Sequence, residues 1–290
     1  RRQRQMCIRD SNSAGTAVSA RAMMKVENST VSTTGDSSPA IMIADGGGIL
    51  IADGGSFTTS GAMSQGIYSK GDVTVTNASV NALNAKAAVL KGNNTITLAG
   101  TILEGKETAD TIPYNIVLFS DEKDIGTMGT QHFDVRGGSL ISHKGGMFYV
   151  TATHGKISLN GTAITMDDPA ANLITVAGND GANGWGTPGR NGGHVELVAD
   201  NQVLTGNISV DSISNINMTL KNNSTFNGII SIVPNAEGGE KYKTNADVFI
   251  AAGSTWNLTG NSTLTSLYNL GTINYNGYTI TLADGTVMKA

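Results

Sequence analysis

The sequence predicts an all-β fold, a parallel β-solenoid in which short strands follow one another around successive coils. Three observations predict it. Gly supplies 37 of the 290 residues while charged residues supply only 14%, a composition typical of short strands joined by turns. Short segments alternate apolar and polar residues, which is the period of a half-buried strand. These segments recur along the chain at an interval close to 24 residues.

Composition also excludes several classes of protein. A hydrophobic content of 39% with few charges argues against a disordered chain. No run of 18 apolar residues occurs, so we expect no membrane-spanning segment. The net charge of -4 provides no basic footprint, so we expect no nucleic-acid partner.

The first eleven residues, RRQRQMCIRDS, are set apart from the fold prediction. They are basic and lack strand alternation, and QMCIRDS resembles a translated sequencing-adapter segment of metagenomic reading frames. We expect 1–11 to be artefactual and disordered, with the natural chain truncated near Ser11. Without this segment the chain carries a net charge of -7 and no Cys, which excludes a disulfide scaffold and a thiolate zinc site.

The repeat is clearest between residues 24 and 176. Each unit has an apolar residue before a polar turn, at spacings of 25, 24, 23, 37 and 24 residues; these anchors are Val26, Ile51, Val75, Leu98, Val135 and Leu159. A second strand follows each anchor, in segments 40–44, 66–70, 87–91, 115–119, 146–150 and 172–176. About three strands per repeat make one coil, and stacked coils bury a continuous core.

The repeat weakens but continues after residue 176. Further coils are predicted in 194–214, 216–233, 247–271 and 272–285, giving about ten coils of roughly 24 residues. We predict one domain over 12–290, with regular coils in 22–177, a Gly-rich loop in 178–194 and less regular coils in 195–290. Asn-Gly and Asp-Gly pairs favour the alternative, an antiparallel sandwich or up-and-down barrel.

The turns between strands carry residues that tolerate a positive φ. Such positions are predicted at Gly54-Gly55, Gly137-Gly138 and Asn160-Gly161, with Asn28 and Asn77 at the equivalent place. We interpret the stacked Asn residues as structural, hydrogen-bonding along the axis.

Two segments carry a resemblance to a known group of proteins. Residues 184–222 (from GWGTPGRNGGHVELVADNQ) and 254–269 (STWNLTGNSTLTSLYN) are similar to recurring segments of secreted right-handed β-helix proteins of anaerobic bacteria, described as adhesin-like or pectate-lyase-like. The resemblance covers nearly all of 20–290. It implies a single-stranded right-handed parallel β-helix on an extracellular or bacterial cell-surface protein, and it implies little about activity.

Candidate ligand-binding residues lie in two inserted loops, because loops on a rigid scaffold commonly carry function. The loop in 106–131 contributes Tyr114, Asp121 and Asp124, and the Gly-rich loop contributes Trp185 and Arg190. An aromatic ring and an Arg on a β-helix face suit stacking on a sugar ring. The alternative is that Trp185 folds back to cover an edge of the solenoid.

No catalytic residues are predicted. A polysaccharide lyase needs several carboxylates on one face for Ca²⁺, together with a base. Asp45 and Asp53 are eight residues apart rather than one coil, and Asp167 and Asp168 point in opposite directions if they lie on a strand. The four motifs of polygalacturonase-type hydrolases do not occur in the required order.

The four His residues suggest no metal site. His132 and His154 are separated by nearly one coil, so we expect them to lie close together, but no third ligand accompanies them. We interpret the His residues as turn positions, and we predict no metal and no cofactor.

The predicted function is an adhesin-like binding surface or stalk for glycans or for host or environmental proteins. The alternative is a carbohydrate-active enzyme, a polysaccharide lyase or glycoside hydrolase, on a pectate-lyase-like β-helix. An autotransporter passenger is a third interpretation.

Overall fold

A computed structural model describes residues 9–10, 14–19, 21–44, 46–121 and 129–290. These residues form 31 strands and no helix, and the strands pair mostly in parallel. The all-β prediction is confirmed, and parallel pairing rules out the antiparallel sandwich for this part of the chain. The chain divides into two compact units: residues 1–117, 131–147 and 165–170 form the first, and 118–130, 148–164 and 171–290 form the second.

The first unit contains twelve whole strands. They are β1 (Arg9–Asp10), β2 (Thr16–Val18), β3 (Met23–Thr33), β4 (Ile41–Ile43), β5 (Ile49–Thr59), β6 (Ile67–Ser69), β7 (Asp72–Thr76), β8 (Ser79–Ala82), β9 (Ala88–Lys91), β10 (Thr95–Ala99), β11 (Ile102–Gly105) and β14 (Ser139–Ser142). Four strands are divided between the units: β12 (Tyr114–Phe119), β13 (Thr130–Arg136), β15 (Gly146–Thr151) and β17 (Ala163–Met166).

The second unit contains the remaining strands. They are β16 (Thr153–Asn160), β18 (Ile174–Val176), β19 (Gly193–Asp200), β20 (Val203–Thr205), β21 (Ile208–Asp211), β22 (Asn215–Lys221), β23 (Thr225–Gly228), β24 (Ile230–Val233), β25 (Ala246–Ile250), β26 (Thr255–Leu258), β27 (Ser262–Leu264), β28 (Ser266–Asn269), β29 (Thr272–Asn274), β30 (Ile280–Leu282) and β31 (Val287–Met288). The last two strands pair antiparallel.

In the first unit, strands one repeat apart lie side by side in register. Val75 on β7 pairs with Ala52 on β5 and with Leu98 on β10. All three side chains are buried, while their sequence neighbours are more exposed. This alternation is the period of a strand with one face against the core. The pattern confirms the predicted strands and the inward parity of the anchors Val75 and Leu98.

One predicted anchor was wrong by a single residue. Val26 pairs with Ala52, not with Ile51, and Ile51 lies opposite Lys25 and Thr74. Ala52 is buried and Ile51 is only half-buried. A one-residue shift exchanges the two faces of a strand. Choosing Ile51 because its side chain is larger than that of Ala52 therefore gave the wrong register.

The predicted second strands form the other wall of the first unit's core. Ile41, Ile67 and Ala88 pair in parallel on β4, β6 and β9, and all three are fully buried. Stacking of equivalent apolar residues between successive repeats creates the continuous core that no single repeat could form alone.

The second unit repeats this arrangement with longer strands. Its largest sheet runs β16, β19, β22, β25 and β28, and a second sheet includes β18, β21 and β24. A third sheet runs β20, β23, β26 and β29, and its core contains Phe226 and the fully buried Trp256. The Trp256 indole N–H donates to the carbonyl of Gly228 at 3.0 Å.

The predicted turn positions are confirmed where the backbone requires a left-handed conformation. Asn28 and Asn77 have φ values of 44° and 51°, and Gly54 has 69°. Asp53 pairs with Thr76, so Gly54 and Asn77 occupy equivalent corners of adjacent repeats. Asn and Gly tolerate this conformation better than other residues. Asn side chains also form a ladder along the second unit, from Asn274 to Asn257 to Asn227, on strands rather than at corners.

The first eleven residues lie outside the described part except for Arg9 and Asp10. Those two residues pair with Ser32 and Thr33 of β3.

Candidate functional site

The most distinctive surface of the second unit lies on the outer face of β22, β25 and β28. Two rows of side chains cross these strands in register. Asp247 pairs with Asn217 and Ser266, and Phe249 pairs with Thr219 and Tyr268. Because residues two apart on a strand face the same side, both rows lie on one surface. We call these six residues the aromatic groove: Asn217, Thr219, Asp247, Phe249, Ser266 and Tyr268.

The groove contains a stacked aromatic pair. The rings of Phe249 and Tyr268 are 5.6 Å apart between centroids and inclined by 19°. The Tyr268 side chain is 63% exposed, and Phe249 is half-buried beside it. Each ring covers one face of the other, and the exposed Tyr268 ring leaves apolar surface in contact with solvent that favours a flat apolar ligand face.

Polar groups border the aromatic pair. Ser266 Oγ donates to Asp247 Oδ1 at 2.5 Å, and Asn217 is exposed on the neighbouring strand. The groove is open to solvent, with a volume of about 320 Å³, and the sheet residues Met218, Val248 and Leu267 complete its lining. An apolar surface with a few convergent hydroxyl, amide and carboxylate groups is the usual composition of a small-ligand site. Together these groups can both donate and accept hydrogen bonds.

The sequence predictions did not include this groove. Its signal was present in two short strands, ADVFI and SLYN, where an aromatic residue stands at an outward position. An outward aromatic on a strand whose other face is buried could have indicated a binding surface. Nothing local in the sequence shows that the two aromatics are neighbours, because they belong to different repeats.

A second cluster lies on the same sheet of the second unit. His154 on β16 pairs with His194 on β19, and their rings stack at 4.8 Å with an inclination of 20°. The Tyr242 ring meets His194 edge-on, also at 4.8 Å. We call these three residues the imidazole cluster. The sequence predicted that His154 lies close to His132, which stays a prediction; the ring stacked on His154 belongs to His194 on the next strand of the sheet.

His194 is held as a neutral ring. Burial lowers its pKa; a hydrogen bond with Asn215 opposes this, and the nearby His154 lowers the pKa further. The His194 Nδ1 lies 2.8 Å from the Asn215 Oδ1. Because an amide oxygen only accepts, Nδ1 carries the proton, and Nε2 is left as an acceptor in the neutral ring.

Trp185, predicted to bind a ligand, packs on a neighbouring ring. Its indole stacks on Phe119 at 4.3 Å, with the planes inclined by 28°. The Trp185 carbonyl accepts hydrogen bonds from the side-chain amides of Asn179 and Asn191. Phe119 therefore covers one face of the Trp185 indole. A covered face is what the alternative interpretation expects, in which Trp185 folds back on an edge of the solenoid. The role of Trp185 in ligand binding stays a prediction.

The other predicted site residues are dispersed. Arg190 is exposed in the Gly-rich loop, and Asp121 is exposed two residues after Phe119. Tyr114 is half-buried at the opposite end of β12 from Phe119, about 17 Å away along the strand. Asp124 lies outside the described residues.

The start of the first inserted loop, residues 107–112, is packed around a buried cation. The Lys86 side chain is 4% exposed, and its Nζ contacts Glu107 Oε2 at 3.2 Å and Asp110 Oδ2 at 3.0 Å. It also donates to the carbonyl of Ile112 at 2.6 Å. A buried ammonium needs such partners, so these contacts hold the loop against the first unit's core.

His143 in the first unit bridges two carboxylates. Its Nδ1 lies 2.7 Å from Asp167 Oδ2, and its Nε2 lies 2.5 Å from Glu104 Oε1. Hydrogen bonds with Asp167 and then Glu104 raise the pKa of His143. With both ring nitrogens bound to carboxylates, no nitrogen remains to accept a proton from a substrate. This arrangement is a clamp between three repeats rather than a catalytic base.

We expect this clamp to make stability depend on pH. Because the folded pKa is raised, the stabilisation is complete below the unfolded value of about 6.5 and is lost as pH rises through the folded pKa. The side chains are 31–54% exposed, so solvent screening limits the effect to at most about 1 kcal/mol. Thermal unfolding of the wild type and His143→Asn across this range measures it. A stability difference that grows with rising pH would contradict the assignment.

Within the described ranges, no group of three or more His, Cys, Asp or Glu side chains is placed to hold a metal ion. No helix with the length and apolar character to cross a membrane occurs in the same ranges. Comparison of the chain with models of protein families, with curated proteins and with solved structures gave no match.

Proposed function

We propose that the protein is an extracellular or bacterial cell-surface β-helix that acts as an adhesin-like binding surface or stalk for glycans. Its fold in this proposal is a single-stranded right-handed parallel β-helix of about ten coils. The parallel, in-register strands of both units support that architecture. The observation that carries the function is the exposed Phe249–Tyr268 stack beside the polar groups of the aromatic groove.

The chemistry of the groove suits a sugar ring. A pyranose presents C–H bonds on one face, which are attracted to the negative face of an aromatic ring. Its hydroxyl groups both donate and accept hydrogen bonds at the ring edge, matching Asp247, Asn217 and Ser266. The groove lies on strands rather than on a loop, so its groups are held in place before a ligand arrives, which reduces the ordering cost of binding.

We expect the double variant Phe249→Ala with Tyr268→Ala to lose glycan binding by at least about tenfold, since stacked aromatics are typical binding hot spots. A glycan array identifies binding by the wild type, and titration of the best hit measures the loss. Tyr278→Ala is the matched control, because Tyr278 is an exposed tyrosine of the same unit outside the groove.

Two results would overturn this proposal. One is absence of wild-type binding to any glycan on the array. The other is release of shortened or unsaturated sugars from a bound polysaccharide, which would favour a carbohydrate-active enzyme over a binding surface.

A further inference from the structure

The aromatic groove and the imidazole cluster lie on one sheet face of the second unit. His194 on β19 pairs with Asn215 on β22, and Thr219 of the groove lies four residues further along β22. Four residues along a strand span about 13 Å, and two strand spacings separate β19 from β25 by about 10 Å. The two clusters are therefore about 16 Å apart across the sheet.

The surface between the clusters is continuous and polar. Lys156, Glu196 and Asn217 pair in register on β16, β19 and β22, and this row runs on to Asp247. Lys156 Nζ contacts Glu196 Oε1 at 2.7 Å. Hydroxyl-rich ligand segments crossing this row would meet donors and acceptors throughout their path.

Charge in the groove disfavours an acidic sugar at the aromatic pair. On the strands Lys156 is paired with Glu196, and Lys221 is paired with Asp200 at 3.2 Å. Asp247 adds a carboxylate in the groove itself, where its hydroxyl partner is neutral. A uronate in the groove would meet this like charge, whereas a neutral sugar would not; Lys241 and Lys243, which flank Tyr242, lie outside the groove.

We propose that the aromatic groove and the imidazole cluster are two subsites of one extended site for a neutral oligosaccharide. This inference rests on the proposed glycan-binding function and adds the ligand's charge and its length. One sugar stacks on the exposed Tyr268 ring, whose other face is packed on Phe249. A sugar further along the chain packs against Tyr242 and donates a hydroxyl hydrogen bond to His194 Nε2.

The second subsite predicts that affinity depends on ligand length. Tyr242 is 41% exposed, so Tyr242→Ala removes its ring without opening the core, and Tyr278, at 39% exposure, again provides the matched control. We expect Tyr268→Ala to weaken binding of short and long oligosaccharides alike. Tyr242→Ala is expected to leave a disaccharide unaffected and to weaken a hexasaccharide by about threefold to tenfold, the value of one aromatic contact.

The first experiment measures the migration of the protein in native gels that contain xylan, mannan, β-glucan or polygalacturonate. The disaccharide and hexasaccharide of the polymer that slows migration are then titrated against each variant by calorimetry. Retardation by a neutral polymer, with the length-dependent Tyr242→Ala effect, supports the extended site. If Tyr268→Ala weakens binding while Tyr242→Ala changes neither ligand, or changes both equally, the second subsite is overturned and the proposed function survives. Retardation by polygalacturonate alone overturns the neutral-ligand assignment. No retardation in any gel overturns the extended site, and the glycan array separately decides the proposed function.

Discussion

Replacing Trp256 by Ala is expected to lower the free energy of unfolding by about 3–5 kcal/mol, the usual cost of truncating a buried Trp. The indole is fully buried in the second unit, packs 5.5 Å from the Phe226 ring and pairs in register with Ile273. Its loss opens a cavity and leaves the Gly228 carbonyl without its donor. Denaturant unfolding of the purified variant measures the change.

Two companion variants separate the contributions to this effect. Trp256→Phe keeps most of the packing and loses the hydrogen bond, so we expect about 1–3 kcal/mol. Trp185→Ala removes a half-buried indole from a surface loop and should cost less than Trp256→Ala. A Trp256→Ala variant that unfolds at the same denaturant concentration as the wild type would show that this core is not packed as described.

Replacing Asp211 by Ala is expected to destabilise the second unit by about 3 kcal/mol or more. The carboxylate is 3% exposed and accepts from the backbone N–H groups of Gly178, at 2.7 Å, and Ile213, at 3.2 Å, and from the Asn235 side-chain amide. Its removal leaves several buried donors without an acceptor, which costs the desolvation of each. Thermal or denaturant unfolding measures the loss.

The Asp211 contacts also connect the Gly-rich loop with the segment that carries Tyr242. Gly178, whose N–H donates to the Asp211 carboxylate, begins that loop, and Asn235, whose side-chain amide donates to the same carboxylate, lies in the segment before Tyr242. Limited proteolysis should therefore cut the Asp211→Ala variant faster in both segments. Asp180→Ala is the control, because this exposed carboxylate accepts only a local bond from Ala182 and should change stability by less than about 0.5 kcal/mol. Equal stability of the two variants would contradict the role given to Asp211.

Much of the fold could be predicted from local pattern. The strands that follow each turn were predicted correctly in 40–44, 66–70 and 87–91, because apolar residues alternate with polar ones within a few positions. The corners at Asn28, Gly54 and Asn77 could also be predicted from local sequence, because few residue types tolerate the positive φ that a corner requires. The anchor at Ile51 failed because both Ile51 and Ala52 are apolar, and only pairing with Val26 and Val75 shows which one faces inward.

The candidate site could not be predicted in the same way. Trp185 was a reasonable candidate by composition, but its contact with Phe119 joins the Gly-rich loop to the end of β12, far away in the sequence. Phe249 and Tyr268 carried no motif, and each is an ordinary strand residue when considered alone. The His143 clamp was missed for the same reason, since Glu104 and Asp167 come from repeats on either side of it.

The sequence by itself determined that this chain is all-β, where its strands and corners lie, and which of their residues mostly face inward. These properties depend on sterics and alternation over a few neighbouring residues. Only the tertiary structure decided which outward side chains become neighbours. Parallel pairing brings together residues 19 apart at Asp247 and Ser266 but 40 apart at Lys156 and Glu196. Because inserted loops change this interval from one repeat to the next, register had to be established by packing, and the aromatic groove exists only in that register.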